Sequence, residues 1–84
     1  MKNKFVYHVA LVLQDGRSSW DFYLKSLRLA RVQVRNFKKV IPHLIVNRDL
    51  RKGDEYDIFI IRYSNDDYDH IYPEYIYCLS KVVK

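Results

Sequence analysis

The sequence predicts an α+β domain, in which one basic amphipathic helix packs across an antiparallel sheet. Three observations predict it: two long apolar segments of strand composition, a hairpin signal after the first, and a helical apolar stripe flanked by cations. The expected order is ββαββ followed by a C-terminal helix or strand. At 84 residues the chain forms one domain, residues 1–84. Its core is small, so we expect a further stabilising contact such as a homodimer.

The first strand and its hairpin set the register of the predicted sheet. Lys4–Gln14 is apolar on both faces, which is typical of a central strand. Asp15 and Gly16 then predict a hairpin, because both tolerate a positive φ. A two-residue turn there pairs Gln14 with Arg17. Counting back from the turn gives the pairs Leu11–Trp20, Val9–Phe22, Tyr7–Leu24, Val12–Ser19, Ala10–Asp21 and His8–Tyr23.

The segment Ser26–Val40 predicts the basic helix. Ser26 is a suitable N-cap, and Pro42 is expected to stop the helix near Ile41. At 100° per residue, five cations share one arc, namely Arg28, Arg31, Arg35, Lys38 and Lys39. The neighbouring arc is apolar and holds Leu27, Ala30, Val34 and Phe37. A second apolar strip, Leu29, Val32 and Val40, is expected to pack under the C-terminal element or to make a self-contact. Alternation of apolar and polar residues over 30–35 leaves a short strand as the alternative.

The second half of the chain predicts mostly strands. His43–Asn47 has the composition of a short strand, and Asn47–Asp54 that of a polar turn. Glu55–Tyr63 predicts another long strand that is apolar on both faces, followed by an acidic loop. The tail Ile71–Lys84 has both a helical stripe and strand composition, of which we favour the helix.

Catalytic and metal-binding patterns are weak in this sequence. His70 near Asp66, Asp67 and Asp69 is most simply a solvated loop, so we expect no metal and no cofactor. His8 is expected to be a hydrogen-bonded sheet histidine, and Cys78 a small core thiol. A small metal-independent ribonuclease would need a base, an acid and cations around one phosphate. The candidates for those parts are His43, Tyr23, Arg31 and Arg35.

The charge distribution points to a polyanionic partner. Residues 1–52 contain twelve of the fifteen Lys and Arg and three of the ten acids, a net charge of +9, whereas residues 53–84 carry −4. Arginine suits phosphate because its planar fork donates two parallel hydrogen bonds. Exposed Tyr23 is the candidate for stacking on RNA bases, since Tyr7, Trp20 and Phe22 fall on the predicted core face. The predicted nucleic-acid-binding residues are Arg17, Tyr23, Arg28, Arg31, Arg35, Lys38, Lys39, Arg48, Arg51 and Lys52.

In size, in its Lys/Asn/Ile/Tyr-rich composition and in its basic half (KSLRLARVQVRNFKK), the chain resembles the small accessory proteins of large lytic phages of the T4 type. That resemblance implies a non-enzymatic inhibitor that disables a host nuclease toxin or antiviral system, sometimes with RNA as a component. The alternatives are a protein–protein module that docks on an acidic host protein, and the small ribonuclease. No apolar run approaches the roughly 20 residues of a membrane span, so we expect a cytoplasmic protein without a membrane partner.

Overall fold

The computed structural model describes residues 5–64 and 74–84. These residues form an α+β fold with four strands and one helix. In chain order the elements are β1 (Phe5–Leu13), β2 (Ser19–Leu24), α1 (Leu27–Val46), β3 (Glu55–Ser64) and β4 (Glu74–Val82). The sheet has the order β2-β1-β3-β4, and all neighbouring strands are antiparallel. The two long strands β1 and β3 are therefore central, which explains why both are apolar on two faces.

The predicted hairpin register is confirmed for all six cross-strand pairs of β1 and β2. The turn is wider than predicted, and Gln14 does not pair with Arg17. Instead the backbone N–H of Gln14 donates to the carbonyl of Glu55 at 2.9 Å, while that of Leu13 donates to Ser18 at 3.1 Å. Gly16 has a φ of 78°, as the turn signal requires. The predicted register is correct although the turn is wider, because each strand has one consistently apolar face.

The helix is longer than predicted. It continues through Pro42 to Val46, so the stop near Ile41 and the strand His43–Asn47 are both wrong. The core stripe explains this, because Leu44 continues the helical spacing of Ala30, Val34 and Phe37 and is buried with them. Pro42 lies on the exposed side, and the packing of Leu44 compensates for the backbone hydrogen bond that the proline removes.

The helix ends in a Schellman motif. The N–H of Asp49 donates to Leu44 at 2.9 Å, and that of Arg48 donates to Ile45 at 3.1 Å. Arg48 has a φ of 65°, a left-handed conformation in which glycine is usual. The following Leu50 is fully buried and fixes the turn to the core.

The tail forms an edge strand, so the favoured helix is wrong for the described part of this segment. Glu74–Val82 pairs with β3, and the register shifts between Ile60 and Ile61. This irregularity lets the consecutive residues Ile76 and Tyr77 both pack against the core. Two adjacent core positions break the strict alternation of a strand, which is why the sequence also fits a helical stripe.

The core lies between α1 and one face of the sheet. That face carries Val9 and Leu11 from β1 with Ile58 and Ile60 from β3, all 0–1% exposed. The opposite face is not covered by any described element. The second apolar strip of α1 is divided: Val40 packs against the core, beside a groove of about 350 Å³ lined by Trp20 and Phe22, whereas Leu29 is 52% exposed.

Candidate nucleic-acid interface

The helix presents its five predicted cations as one exposed surface, called here the cationic arc (Arg28, Arg31, Arg35, Lys38 and Lys39). The N-terminus of α1 is capped by Ser26, whose Oγ accepts a hydrogen bond from the N–H of Leu29 at 3.1 Å. Burial of the apolar stripe on the sheet then fixes the rotation of the helix and turns the arc towards solvent. No acid of residues 5–64 or 74–84 forms an ion pair with any of the five.

The cationic arc is electrostatically unfavourable for the isolated protein. Like charges stand three or four residues apart at Arg28–Arg31, Arg31–Arg35, Arg35–Lys38 and Arg35–Lys39. Each such pair destabilises a helix by about 0.2–0.5 kcal/mol. Between Leu27 and Val46 there is no acid to offset them, and Arg28 also opposes the positive end of the helix dipole. A bound polyanion would relieve this repulsion.

An aromatic side chain borders the arc on the side of β4. The Nζ of Lys38 lies 5.5 Å from the ring centroid of Tyr77. Together with Arg31 they line a recess of about 230 Å³ whose floor includes Val34 and Ile60. Sequence reasoning missed Tyr77 because it assigned the tail to a helix; a strand assignment places Tyr77 opposite Ile60.

Arg17 has a different environment from the arc. Its guanidinium donates to Asp54 at 2.5 Å, to the carbonyl of Asp49 at 3.1 Å and to Asp15 at 3.3 Å. The hydrogen bond from Arg17, with a second from the N–H of Arg51, holds the pKa of Asp54 below its usual range. The hydrogen bond to Asp54 in turn raises the pKa of Arg17. Arg17 therefore joins the hairpin turn to the turn after α1 and does not extend the arc.

The remaining predicted cations, Arg48, Arg51 and Lys52, lie in that second turn and are exposed. Along the helix axis, Arg48 is nine residues beyond Lys39, or roughly 13 Å at 1.5 Å per residue. With Arg17 they form a group, the turn cluster (Arg17, Arg48, Arg51 and Lys52). Asp15, Asp49 and Asp54 in the same two turns offset three of its four charges.

Tyr23 is exposed as predicted, at 66%, but it lies on the sheet face away from α1. Its ring stacks on His8 with centroids 4.6 Å apart and an interplanar angle of 9°. The Nε2 of His8 lies 2.7 Å from Oδ1 of Asp21, and this contact, aided by Ser19, keeps the pKa of Asp21 low. His8 is thus the hydrogen-bonded sheet histidine that was expected.

The parts proposed for a ribonuclease do not come together. The sheet separates Tyr23 from Arg31 and Arg35, and His43 lies two helical turns beyond Arg35. Within the described ranges, no three metal-binding side chains cluster. The group around His70 lies outside the described residues. Cys78 is exposed, so its prediction as a core thiol is wrong.

Comparison of the chain with protein-family models, with curated proteins and with solved structures found no match. Across the part of the chain that is described, no helix has the combination of length and apolarity needed to cross a membrane.

Proposed function

We propose that this protein is a non-enzymatic nucleic-acid-binding protein that holds RNA phosphates on the cationic arc. The observation that carries the proposal is the group of five exposed cations, four like-charge neighbour pairs among them, with no acid partner in residues 5–64 and 74–84. Such an arrangement costs helix stability when free and gains it when phosphates neutralise it.

The recess beside the arc favours a single strand over a duplex. Its wall is the Tyr77 ring, and its rim holds Arg31 and Lys38, so a base next to a bound phosphate has an aromatic surface within reach. Base–aromatic stacking needs unpaired bases and contributes about 1–3 kcal/mol per base. Three of the five cations are arginines, whose planar forks bind phosphate oxygens in pairs.

The decisive experiment compares two double charge reversals of equal net change. Arg31→Glu with Arg35→Glu alters the cationic arc, and Arg48→Glu with Lys52→Glu alters the turn cluster. We expect the first variant to lose single-stranded RNA binding at low salt and the second to retain most of it. The ratio of absorbance at 260 and 280 nm of the purified proteins, before and after a high-salt wash, gives an independent measure of bound nucleic acid.

Two outcomes would reject the proposal in favour of another function. Unchanged RNA binding by the Arg31→Glu/Arg35→Glu variant would show that the arc is not part of the RNA interface. Absence of RNA binding in the wild type, together with binding to an acidic protein, would support the protein–protein module. The resemblance to T4-type phage accessory proteins extends the proposal to a counter-defence inhibitor that acts in the host cytoplasm. Loss of host-factor inhibition in the arc variant tests that extension.

A further inference from the structure

A second surface lies on the sheet face opposite the helix. There an aromatic strip crosses all four strands and consists of Tyr23, His8, Phe59 and Tyr75. His8 contacts Phe59 edge-on with centroids 5.4 Å apart, and Phe59 contacts Tyr75 at 6.2 Å. Tyr23 and Tyr75, at the two ends, are 66% and 65% exposed. No described element covers the strip.

This face has no positive charge to which a polyanion could bind. Its described side chains include no lysine or arginine, and its central acids are Asp21 and Asp57. Both acids already have internal partners: Asp21 has His8 and Ser19, whereas Asp57 accepts from Gln14 at 3.0 Å and from Ser80 at 2.6 Å. Nucleic acids bind largely through cations, so a protein surface is the better partner. Because the acids are already hydrogen-bonded, covering this face leaves few polar groups unsatisfied.

We propose that the occupant is a second copy of this chain, packed sheet against sheet on the aromatic strip. Four strands about 4.8 Å apart, of which β2 has six residues and the other three have nine or ten, give a face of roughly 540 Å² in projection. A standard interface buries roughly 800 Å² of accessible surface per partner, so a dimer of this kind would use the whole face and not the aromatic strip alone. A two-fold axis through this face would bring the strip of one copy against the same strip of the other, as an isologous interface requires.

Charge favours this face over any contact through α1. Two helices brought together would oppose ten cations. In the sheet-to-sheet arrangement, sheets about 10 Å apart with a helix layer of about 10 Å on each side separate the two helix axes by roughly 30 Å. That distance is several times the Debye length of about 8 Å at physiological salt, so the arcs do not repel each other. The dimer would expose one cationic arc on each outer side.

Light scattering after size exclusion tests the interface with two matched variants. Tyr23→Lys with Tyr75→Lys places charges at both ends of the strip, and Leu29→Lys with Val46→Lys makes the same charge change at exposed apolar positions of α1. We expect the wild type and the α1 variant to have twice the 10.2 kDa chain mass, and the strip variant to have the mass of one chain with unchanged circular dichroism. A monomeric wild type across a dilution series would overturn the proposal, as would dissociation by the α1 variant alone.

The native Cys78 provides a second readout, because it is exposed and pairs with Phe59 in this face. We expect maleimide to label Cys78 more slowly in the wild type than in the Tyr23→Lys/Tyr75→Lys variant. Equal rates would overturn the proposal. A strip variant that stays dimeric but loses RNA binding would assign the face to bases instead. The Arg31→Glu/Arg35→Glu variant leaves the strip intact, so it should remain a dimer while it loses RNA binding. Failure of the dimer proposal and failure of the RNA proposal are therefore distinguishable.

Discussion

The cationic arc and the turn cluster contain similar basic residues but differ in the acids around them. The guanidinium of Arg17 in the turn cluster donates three hydrogen bonds, to oxygen atoms of Asp15, Asp49 and Asp54. Arg31 and Arg35 in the arc have other cations as their helical neighbours and no ion-pair partner among the described residues. The acids in the same two turns, above all Asp54, therefore distinguish the turn cluster from the arc, whose helix contains no acid.

The largest expected difference between the two groups is in RNA affinity. Arg31→Ala with Arg35→Ala removes two charge-assisted contacts, so affinity for single-stranded RNA falls by about 100-fold at low salt. The slope of log affinity against log salt changes from about −3.5 for five phosphate contacts to about −2.1 for three. Fluorescence anisotropy at several salt concentrations measures both. Arg48→Ala with Lys52→Ala is the matched control, and an equal loss there would show that the turn cluster also binds phosphate.

The second prediction concerns the stability of the turn cluster. Arg48→Gly removes the strain of a left-handed residue and raises the free energy of unfolding by about 1 kcal/mol. Urea unfolding at constant protein concentration measures this change. RNA affinity stays within about twofold, because Arg48 is outside the arc. A destabilised Arg48→Gly variant would mean that the side chain of Arg48 stabilises the turn.

The third prediction sharpens the comparison within α1. Arg35 has like charges at Arg31, Lys38 and Lys39, so Arg35→Gln removes three repulsive pairs. We expect the free energy of unfolding to rise by about 0.6–1.5 kcal/mol at low salt and by less at high salt, while RNA affinity falls. Thermal unfolding at two salt concentrations shows the difference. Lower stability of Arg35→Gln at low salt would show that the cations of the arc do not repel one another measurably.

The smallest expected effect is the pH dependence of the turn cluster. Arg17 lowers the pKa of Asp54 in the folded protein, so this carboxylate contributes stability above its unfolded pKa of about 3.9. That contribution is lost as the pH falls below this value and through the lower folded pKa. Asp54→Asn should therefore be less stable than the wild type near neutral pH, with a difference that narrows in acid. A constant difference across that range, measured by urea unfolding, would exclude the titration of Asp54 as its cause.

The sequence by itself determined the hairpin register and the start of the helix with its charged side. In each case the controlling interactions are local. Alternate apolar residues and Asp15–Gly16 set the hairpin, while Ser26 and a 3.6-residue period set the first turns of α1. The exposed arc follows directly from that period once its apolar neighbours are buried.

Only the tertiary structure decided the rest, because long-range contacts outweighed local preference. The helix continues beyond Pro42 because Leu44 is buried in the core. The tail is a strand because it pairs with β3. Arg17 is bound by Asp54, which is 37 residues away in the sequence. The recess beside Tyr77 likewise depends on tertiary structure, because it forms only where β4 pairs with β3 next to α1.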